Sequence, residues 1–375
     1  MPISLSKLTL RGFKSFKNID GFEPQQINIL IGANGAGKSN FLSFFRMLSW
    51  IMAGNLQEFL ATYGRASRVL HDGPKATPSL EAKLEIQTDG GLNNYEFCLA
   101  YGADDTLFFK EERYCFLPSP APISDPHWTS LGSGHSEAKL LERADIPGKK
   151  TPATIRNLLQ RLVVHQFHDT SSRSRIRGSW ESGDNWRLKE DGANLGAFLL
   201  GLRESGDLDA QIAYQRIEST LRRVAPFFDR FLLEPHGGQV LLQWLEKGTD
   251  TVFSAFQASD GLLRTMALIA LLSQPKERLP SVLFLDEPEL GLHPYAIHIL
   301  AALLKQVSHS TQIFVATQSP LLLDEFEPEQ VVVVTRQGRE SLLNRKTAEE
   351  LAEWREEYSL GDLWRKNLLG GGPIA

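Results

Sequence analysis

Apolar positions at the start of the chain alternate and then bunch. Ile3, Leu5, Leu8 and Leu10 mark a strand ahead of Arg11-Gly12-Phe13, and Ile27-Asn28-Ile29-Leu30-Ile31 is a short β-rich run that stops at Gly32. Helical spacing follows, with Asn40 to Met52 (NFLSFFRMLSWIM) predicting a helix. Three short alternating segments come next, Leu80 to Thr88, Asn93 to Tyr101 and Thr106 to Leu117. Asp89-Gly90-Gly91 and Gly102 to Asp105 supply turns between them, which predicts a small antiparallel sheet. Pro118 to Lys150 is rich in Pro, Ser and Gly and reads as a surface connection. From Thr151 a helix-like run leads into Leu162-Val163-Val164-His165-Gln166, and Leu195 to Phe228 has helical periodicity up to the breaker Pro226. Val240 to Leu245, Thr251 to Phe256, Val282 to Leu285 and Ile313 to Val315 read as strands. Ala348 to Tyr358 has the pattern of a charged amphipathic helix, and it and the Gly-rich end, Leu368 to Ala375, carry no assigned role.

Composition narrows this picture. With 375 residues, 42% of them hydrophobic, the chain can bury a sizeable core in one large domain or two lobes. Two cysteines, Cys98 and Cys115, cannot form a disulfide framework or a four-ligand zinc site, which points to a reducing, cytoplasmic compartment. The N-terminus lacks the apolar core of an export signal, and Arg264 interrupts the most apolar helical run, Leu262 to Leu272, so no membrane association is expected. The net charge of -5 still leaves room for a local basic patch that holds double-stranded DNA. No repeat and no sustained heptad pattern is present, which sets aside a solenoid and a long coiled coil.

Gly32-Ala33-Asn34-Gly35-Ala36-Gly37-Lys38-Ser39 matches G-x-x-x-x-G-K-[ST] at every fixed position and lies between a strand and a helix. Glycines let the backbone curl until its N–H groups face phosphates at a helix N-terminus, with Lys38 reaching the terminal phosphates and Ser39 ligating Mg²⁺. The expected binding set is Asn34, Gly35, Ala36, Gly37, Lys38, Ser39 and Asn40. Downstream, Val282-Leu283-Phe284-Leu285 delivers Asp286 and Glu287 to a strand end, the first suited to a Mg²⁺ shell and the second to accepting a proton from attacking water.

With these motifs the chain resembles the ABC-type ATPases of the RecF, SMC and OLD-like branch, above all compact RecF-like bacterial ATPases without coiled-coil arms. Arg11-Gly12-Phe13-Lys14-Ser15-Phe16 is similar to the first strand of SMC-type heads. Ala258-Ser259-Asp260-Gly261-Leu262-Leu263-Arg264 occupies the place of the signature motif, departing from the usual L-S-G-G-Q at Ala258, Asp260 and Leu262. The resemblance implies an α/β fold of P-loop ATPase head type, with an antiparallel β lobe and a helical lobe carrying the signature. It implies ATP and Mg²⁺ as cofactors and a homodimer that closes on ATP, Ser259 and Gly261 gripping the nucleotide of the opposite protomer. The alternative for Ser259 is a simple helix cap.

Other carried-over positions have competing readings. Gln166 stands as a Q-loop residue at the nucleotide and its metal, although His168 and Asp169 could serve instead; His165, His168 and Asp169 could also form a metal site. Leu290-Gly291-Leu292-His293 holds the D-loop place, or is a turn with a surface histidine. Gln318 stands where transporters carry a switch histidine and can polarise but not titrate. Phe13 and Phe16 either stack near adenine or fill the core. Arg173, Arg175 and Arg177 either meet phosphates or sit in a solvated loop. The expected division is 1–117, an N-terminal lobe with phosphate loop and β subdomain; 118–257, a polar linker, Q-loop region and helical lobe; 258–340, signature, carboxylates, D-loop and switch; and 341–375, a tail. The expected function is an ATPase in DNA maintenance, repair or antiphage defence, with a separately encoded nuclease or toxin as partner. The alternatives are a nucleotide-gated scaffold with little turnover and, further off, a transporter cassette.

Overall fold

The computed structural model describes residues 3–119 and 126–372. Its N-terminal part runs β1 (Ser4–Phe13), β2 (Phe16–Phe22), β3 (Ile27–Ile31), α1 (Lys38–Met52), α2 (Leu56–Tyr63) and α3 (Arg65–Val69). It continues through β4 (Ser79–Thr88), β5 (Gly91–Tyr101), β6 (Leu107–Pro118) and β7 (Thr129–Gly132). Two helices, α4 (Leu140–Ala144) and α5 (Lys150–Leu159), lead to β8 (Leu162–His165). The middle of the chain holds β9 (Trp180–Glu181), α6 (Leu195–Arg203), α7 (Leu208–Val224) and the short strands β10 (Phe228–Leu232), β11 (Gln239–Val240), β12 (Gln243–Glu246) and β13 (Val252–Ser254). Last come α8 (Asp260–Ser273), β14 (Val282–Asp286), α9 (Pro294–Val307), β15 (Gln312–Thr317), α10 (Pro320–Leu323), β16 (Val331–Gln337), β17 (Glu340–Arg345), α11 (Ala348–Arg355) and α12 (Leu360–Arg365).

Two six-stranded sheets organise these elements. The core sheet has the order β17-β16-β3-β15-β14-β8 and is parallel except for β17, while β2-β1-β4-β5-β6-β7 form the antiparallel lobe. Both faces of the core sheet are covered, which is why its strands read as unbroken apolar runs. Along them the side chains alternate: Leu30, Val164, Phe284 and Phe314 pack toward α1 and the β lobe, and Ile29, Leu283, Leu285, Ile313 and Val315 toward α6 to α9. Phe45 of α1 stacks on Phe284 at 4.2 Å, which stacks on Phe314 at 4.7 Å. Phe13 and Phe16 are fully buried against Phe44 and Phe41, so both belong to the core and neither is available to adenine. The two sheets are joined by Gln312, whose amide takes an N–H from Leu5 at 2.8 Å and gives one to its carbonyl at 3.0 Å.

Three stretches differ from the pattern-based expectation. Leu195 to Phe228 is two helices, because the Asp207 carboxylate caps α7 through the Asp209 N–H and Phe228 opens a strand. Val240 to Leu245 splits between β11 and β12, which pair with different partners. Within Pro118 to Lys150, where residues 120–125 lie outside the described residues, the chain forms β7 and α4 rather than a plain connection. Its anchor is the fully buried Glu112 carboxylate, which accepts from Tyr95 Oη at 2.7 Å, His135 Nε2 at 2.8 Å and the N–H groups of Lys139 and Leu140 at 2.9 and 3.2 Å. Beyond residue 341 the chain completes β17 and then returns, so that the Gly371 carbonyl accepts the N–H of Ala33 at 2.9 Å.

Candidate functional site

Four parallel strands end at one place. The phosphate loop leaves β3, Asp286 ends β14, Thr317 ends β15 and Gln166 follows β8, so the carboxyl edge of the sheet gathers residues far apart in the chain. Ligands of open α/β sheets bind at such an edge. The loop's shape depends on glycine. Gly37 caps α1 at φ 118°, and a Cβ there would lie 2.3 Å from Ser341 Oγ; a Cβ on Gly32 would lie 2.5 Å from the Val334 carbonyl. The hairpin of β16 and β17 buttresses the loop from the same side: Arg336 donates to the Gly35 carbonyl at 3.2 Å and Ser341 Oγ to that of Ala36. Asn40 donates to Ser15 Oγ at 2.8 Å, tying the loop to the β1–β2 turn. Asn34, Gly35 and Ser39 are exposed at the mouth and Ala36 lies beneath.

Lys38 is only 5% exposed and donates from Nζ to the carbonyls of Gly32 at 2.7 Å and Ala33 at 3.3 Å. Burial lowers its pKa, while the charges of Glu287, Asp286 and Glu289 pull it back up. Asp286, also 5% exposed, accepts from Gln166 Nε2 on Oδ2 at 2.7 Å, and His168 Nε2 donates to its carbonyl at 2.7 Å. Its Oδ1 is buried and has no partner. A hard cation brought with a triphosphate would satisfy that oxygen, with the exposed Ser39 hydroxyl as second ligand, so the donor set fits Mg²⁺. Gln166 is less free, because its Oε1 accepts from Arg46 at 2.8 Å and becomes a metal ligand only if Arg46 lets go.

Glu287 leaves the strand with φ 42°, a conformation few non-glycine residues adopt, while its N–H continues the ladder to the Ala316 carbonyl at 2.7 Å. The Gln318 amide donates to its Oε1. Glu289 is a carboxylate that reading of the sequence passed over: it is buried, takes the Thr317 hydroxyl and the Gln318 N–H on Oε1, and leaves Oε2 without a partner. Burial raises its pKa above the ordinary 4.5 by more than those hydrogen bonds lower it. The folded chain therefore holds this proton more tightly than the unfolded one, and the resulting stability is complete below 4.5 and lost as pH rises through the folded value. Glu289→Gln is expected to gain stability relative to wild type as pH goes from acid to neutral, read as a widening gap between thermal midpoints of the nucleotide-free proteins.

In the expected signature, Ser259 and Asp260 are exposed. Ser259 is exposed and caps α8, its Oγ accepting from the Leu262 N–H at 3.3 Å, and a Cβ on Gly261 would lie 2.7 Å from the Gly291 carbonyl of the D-loop. Among the described residues no hydrogen bond or ion pair joins residues 258–261 to residues 32–39 of the same chain. Arg177 is buried rather than facing phosphates: it donates to the carbonyls of Thr170, Ala255 and Ala258 and pairs with Asp260 at 2.8 Å, fixing the signature turn. Arg173 is exposed, and Arg175 pairs with Asp191 at 3.0 Å and covers Trp180. Removing Arg177 leaves those carbonyls unpaired, so Arg177→Ala is expected to cost about 3 kcal/mol, measured by denaturant unfolding.

Two further residues complete the map. Arg264 donates to the carbonyls of Phe167, His168 and Leu290, linking α8 to the segment after β8 and to the turn at Leu290. His293 is exposed and caps α9 through Nδ1. His165, His168 and Asp169 do not form a metal site: His165 is buried and held neutral by a pKa lowered to about 4, His168 serves Asp286, and Asp169 serves Ser171. No group of three such ligands occurs among the described residues.

A family described as "AAA domain, putative AbiEii toxin, Type IV TA system" matches residues 27–324. Among solved structures, an Smc head bound to the C-terminal winged-helix domain of ScpA aligns with a TM-score of 0.58 at 17% identity, covering 92% of this chain and 99% of that one. Curated relatives match over short segments. Urease accessory protein 2 of Cryptococcus neoformans var. grubii is 33% identical over 90 residues, 23% of this chain and 7% of that protein. Structural maintenance of chromosomes protein 3 of Saccharomyces cerevisiae is 43% identical over 47 residues, 12% of this chain and 4% of that protein. The chain thus spans a small fraction of the length of the curated relatives it matches. No helix among the described residues is long and apolar enough to cross a membrane.

Proposed function

Since this chain belongs to the AAA-domain family described as a putative AbiEii toxin of a type IV system, and is a RecF/SMC-like ABC-type ATPase by fold, we propose that it binds ATP with Mg²⁺ and hydrolyses it between two copies of itself. The observation that carries this reading is the convergence of Lys38, Asp286, Glu287, Gln166 and Gln318 at one sheet edge, while Ser259 stands exposed and, among the described residues, shares no hydrogen bond or ion pair with residues 32–39 of its own chain.

Residues Asn34 to Asn40 cradle the phosphates, Lys38 exchanging the loop carbonyls for phosphate oxygens. Ser39 and the orphaned Asp286 Oδ1 would hold Mg²⁺, which would supply charge neutralisation of the phosphates. Glu287, oriented by Gln318, accepts the proton of the attacking water. Gln166 reports the occupant of the site to the helical lobe, since its neighbours Phe167 and His168 are gripped by Arg264 of the signature helix. Ser259 and Gly261 of a second copy close the pocket. Leu290 and Phe256, both largely exposed beside these motifs, are surface that such a closure covers. The division into 1–117, 118–257, 258–340 and 341–375 stands as part of this proposal.

The biological setting we favour is antiphage defence or DNA maintenance in company with a separately encoded effector, because the family description names a toxin system and the SMC head of similar fold is bound to a partner domain. ATP turnover with and without double-stranded DNA tests the setting. Stimulation supports a DNA-linked ATPase, and a low rate indifferent to DNA favours the nucleotide-gated scaffold.

A further inference from the structure

A second cluster of cationic side chains lies along β8, where Arg161, His165, Arg187, Gln274 and Arg278 line one cleft. Its chemistry is one-sided. None of the three arginines forms an ion pair among the described residues, and Arg161 and Arg187 repel each other. Asp207 acts on Arg278 only from beyond ion-pair distance. Arg278 is 6% exposed, its guanidinium lies over the Trp186 ring at 4.3 Å, and its Nη1 has no hydrogen-bond partner. Arg161 spends Nη2 on the Leu279 carbonyl at 2.8 Å and leaves Nε buried and unpaired. His165, 3% exposed, has an unpaired Nδ1.

Arg278 is buried and Arg161 half-buried, and guanidiniums so placed without counter-charges are costly, so native proteins pair them. The fourth wall specifies more. Gln274 Nε2 donates to the Leu271 carbonyl at 2.8 Å, which fixes the amide and leaves Oε1 as a buried acceptor with no donor. An occupant must therefore bring negative charge for Arg278 and Arg161, with the exposed Arg187 lining the same cleft, and one O–H for Gln274. We infer that this cleft is a binding site for inorganic phosphate, whose hydrogen-phosphate form meets both needs: its oxygens accept from Arg161, Arg187 and Arg278, and its hydroxyl donates to Gln274 Oε1. Sulfate has the charge but no hydroxyl at neutral pH. Because β8 carries His165 directly before Gln166, an anion here rests behind the Q-loop, and the site stands whether or not the chain turns over ATP.

The phosphate loop is itself an anion site, so the test uses the Lys38→Ala chain throughout. Thermal midpoints are measured against inorganic phosphate and against sulfate at matched ionic strength. The midpoint is expected to rise with phosphate and to rise less with sulfate. Arg278→Met in that background should abolish the phosphate response. Arg187→Gln, at an exposed position that folding tolerates, should weaken apparent phosphate affinity by roughly tenfold. A phosphate response that is absent, that sulfate equals, or that survives both substitutions unchanged overturns the site.

Discussion

Glu287→Gln is expected to lower ATP turnover by roughly 10³-fold while ATP binding stays within a few-fold of wild type. The substitution keeps the shape of the side chain and an oxygen that can still accept from the Gln318 amide, so the hydrogen bond that orients residue 287 survives. What it removes is the basic carboxylate. The backbone here is held at φ 42°, at a cost of order 1–3 kcal/mol, and the Glu287 N–H is tied to the Ala316 carbonyl. A side chain so constrained is placed for one task, and an amide cannot take a proton from water near neutral pH. Steady-state turnover and equilibrium binding of ATP, measured on the same preparation, separate the two effects. Wild-type turnover in the variant would remove Glu287 from its assigned role.

Lys38→Ala is expected to weaken ATP binding by a few hundredfold, the loss of two charge-assisted hydrogen bonds or about 3 to 4 kcal/mol. The buried ammonium is already half prepared: it sits within the loop, held by the Gly32 and Ala33 carbonyls, and faces the carboxylates of Glu287, Asp286 and Glu289. Alanine leaves those carboxylates without their cation, so a triphosphate would meet net negative charge. Isothermal titration with ATP and Mg²⁺ checks this, and affinity within tenfold of wild type would count against the phosphate-binding role of Lys38.

The parts of this molecule legible in the sequence are those written in contiguous residues. Gly32 to Ser39 is fixed by backbone curvature that few residues tolerate, and Asp286-Glu287 ends a run whose apolar continuity reflects a strand buried on both faces. The helix of α1 and the hairpins of the β lobe were likewise local. What escaped is what long-range packing decides. The contacts of Gln166 with Arg46 and Asp286 each span 120 positions, and nothing in the string around Arg46 marks it. Glu289 carried a signal, a third acid close behind the pair, yet its meaning depends on the burial that β15 imposes through Thr317. Arg177 sat in a loop with the polarity of a solvated segment, and only the closeness of Ala255, Ala258 and Asp260 converts it to a structural clamp. The C-terminal segment gave no hint that Gly371 would return to Ala33. Ser205-Gly206-Asp207, a turn ending in the Asp207 cap of α7, is a local signal for the break between α6 and α7 that the helical spacing of Leu195 to Phe228 does not contain.

The central claim is that a pocket built by one copy is finished by another. It is tested most directly by the molar mass of the Glu287→Gln protein in solution with ATP and Mg²⁺, measured by light scattering, with and without Ser259→Arg in the same chain. The account predicts a doubling of mass on adding ATP that is lost with Ser259→Arg although ATP still binds. A mass that stays at one chain with nucleotide bound, or a dimer that forms regardless of Ser259, would contradict it.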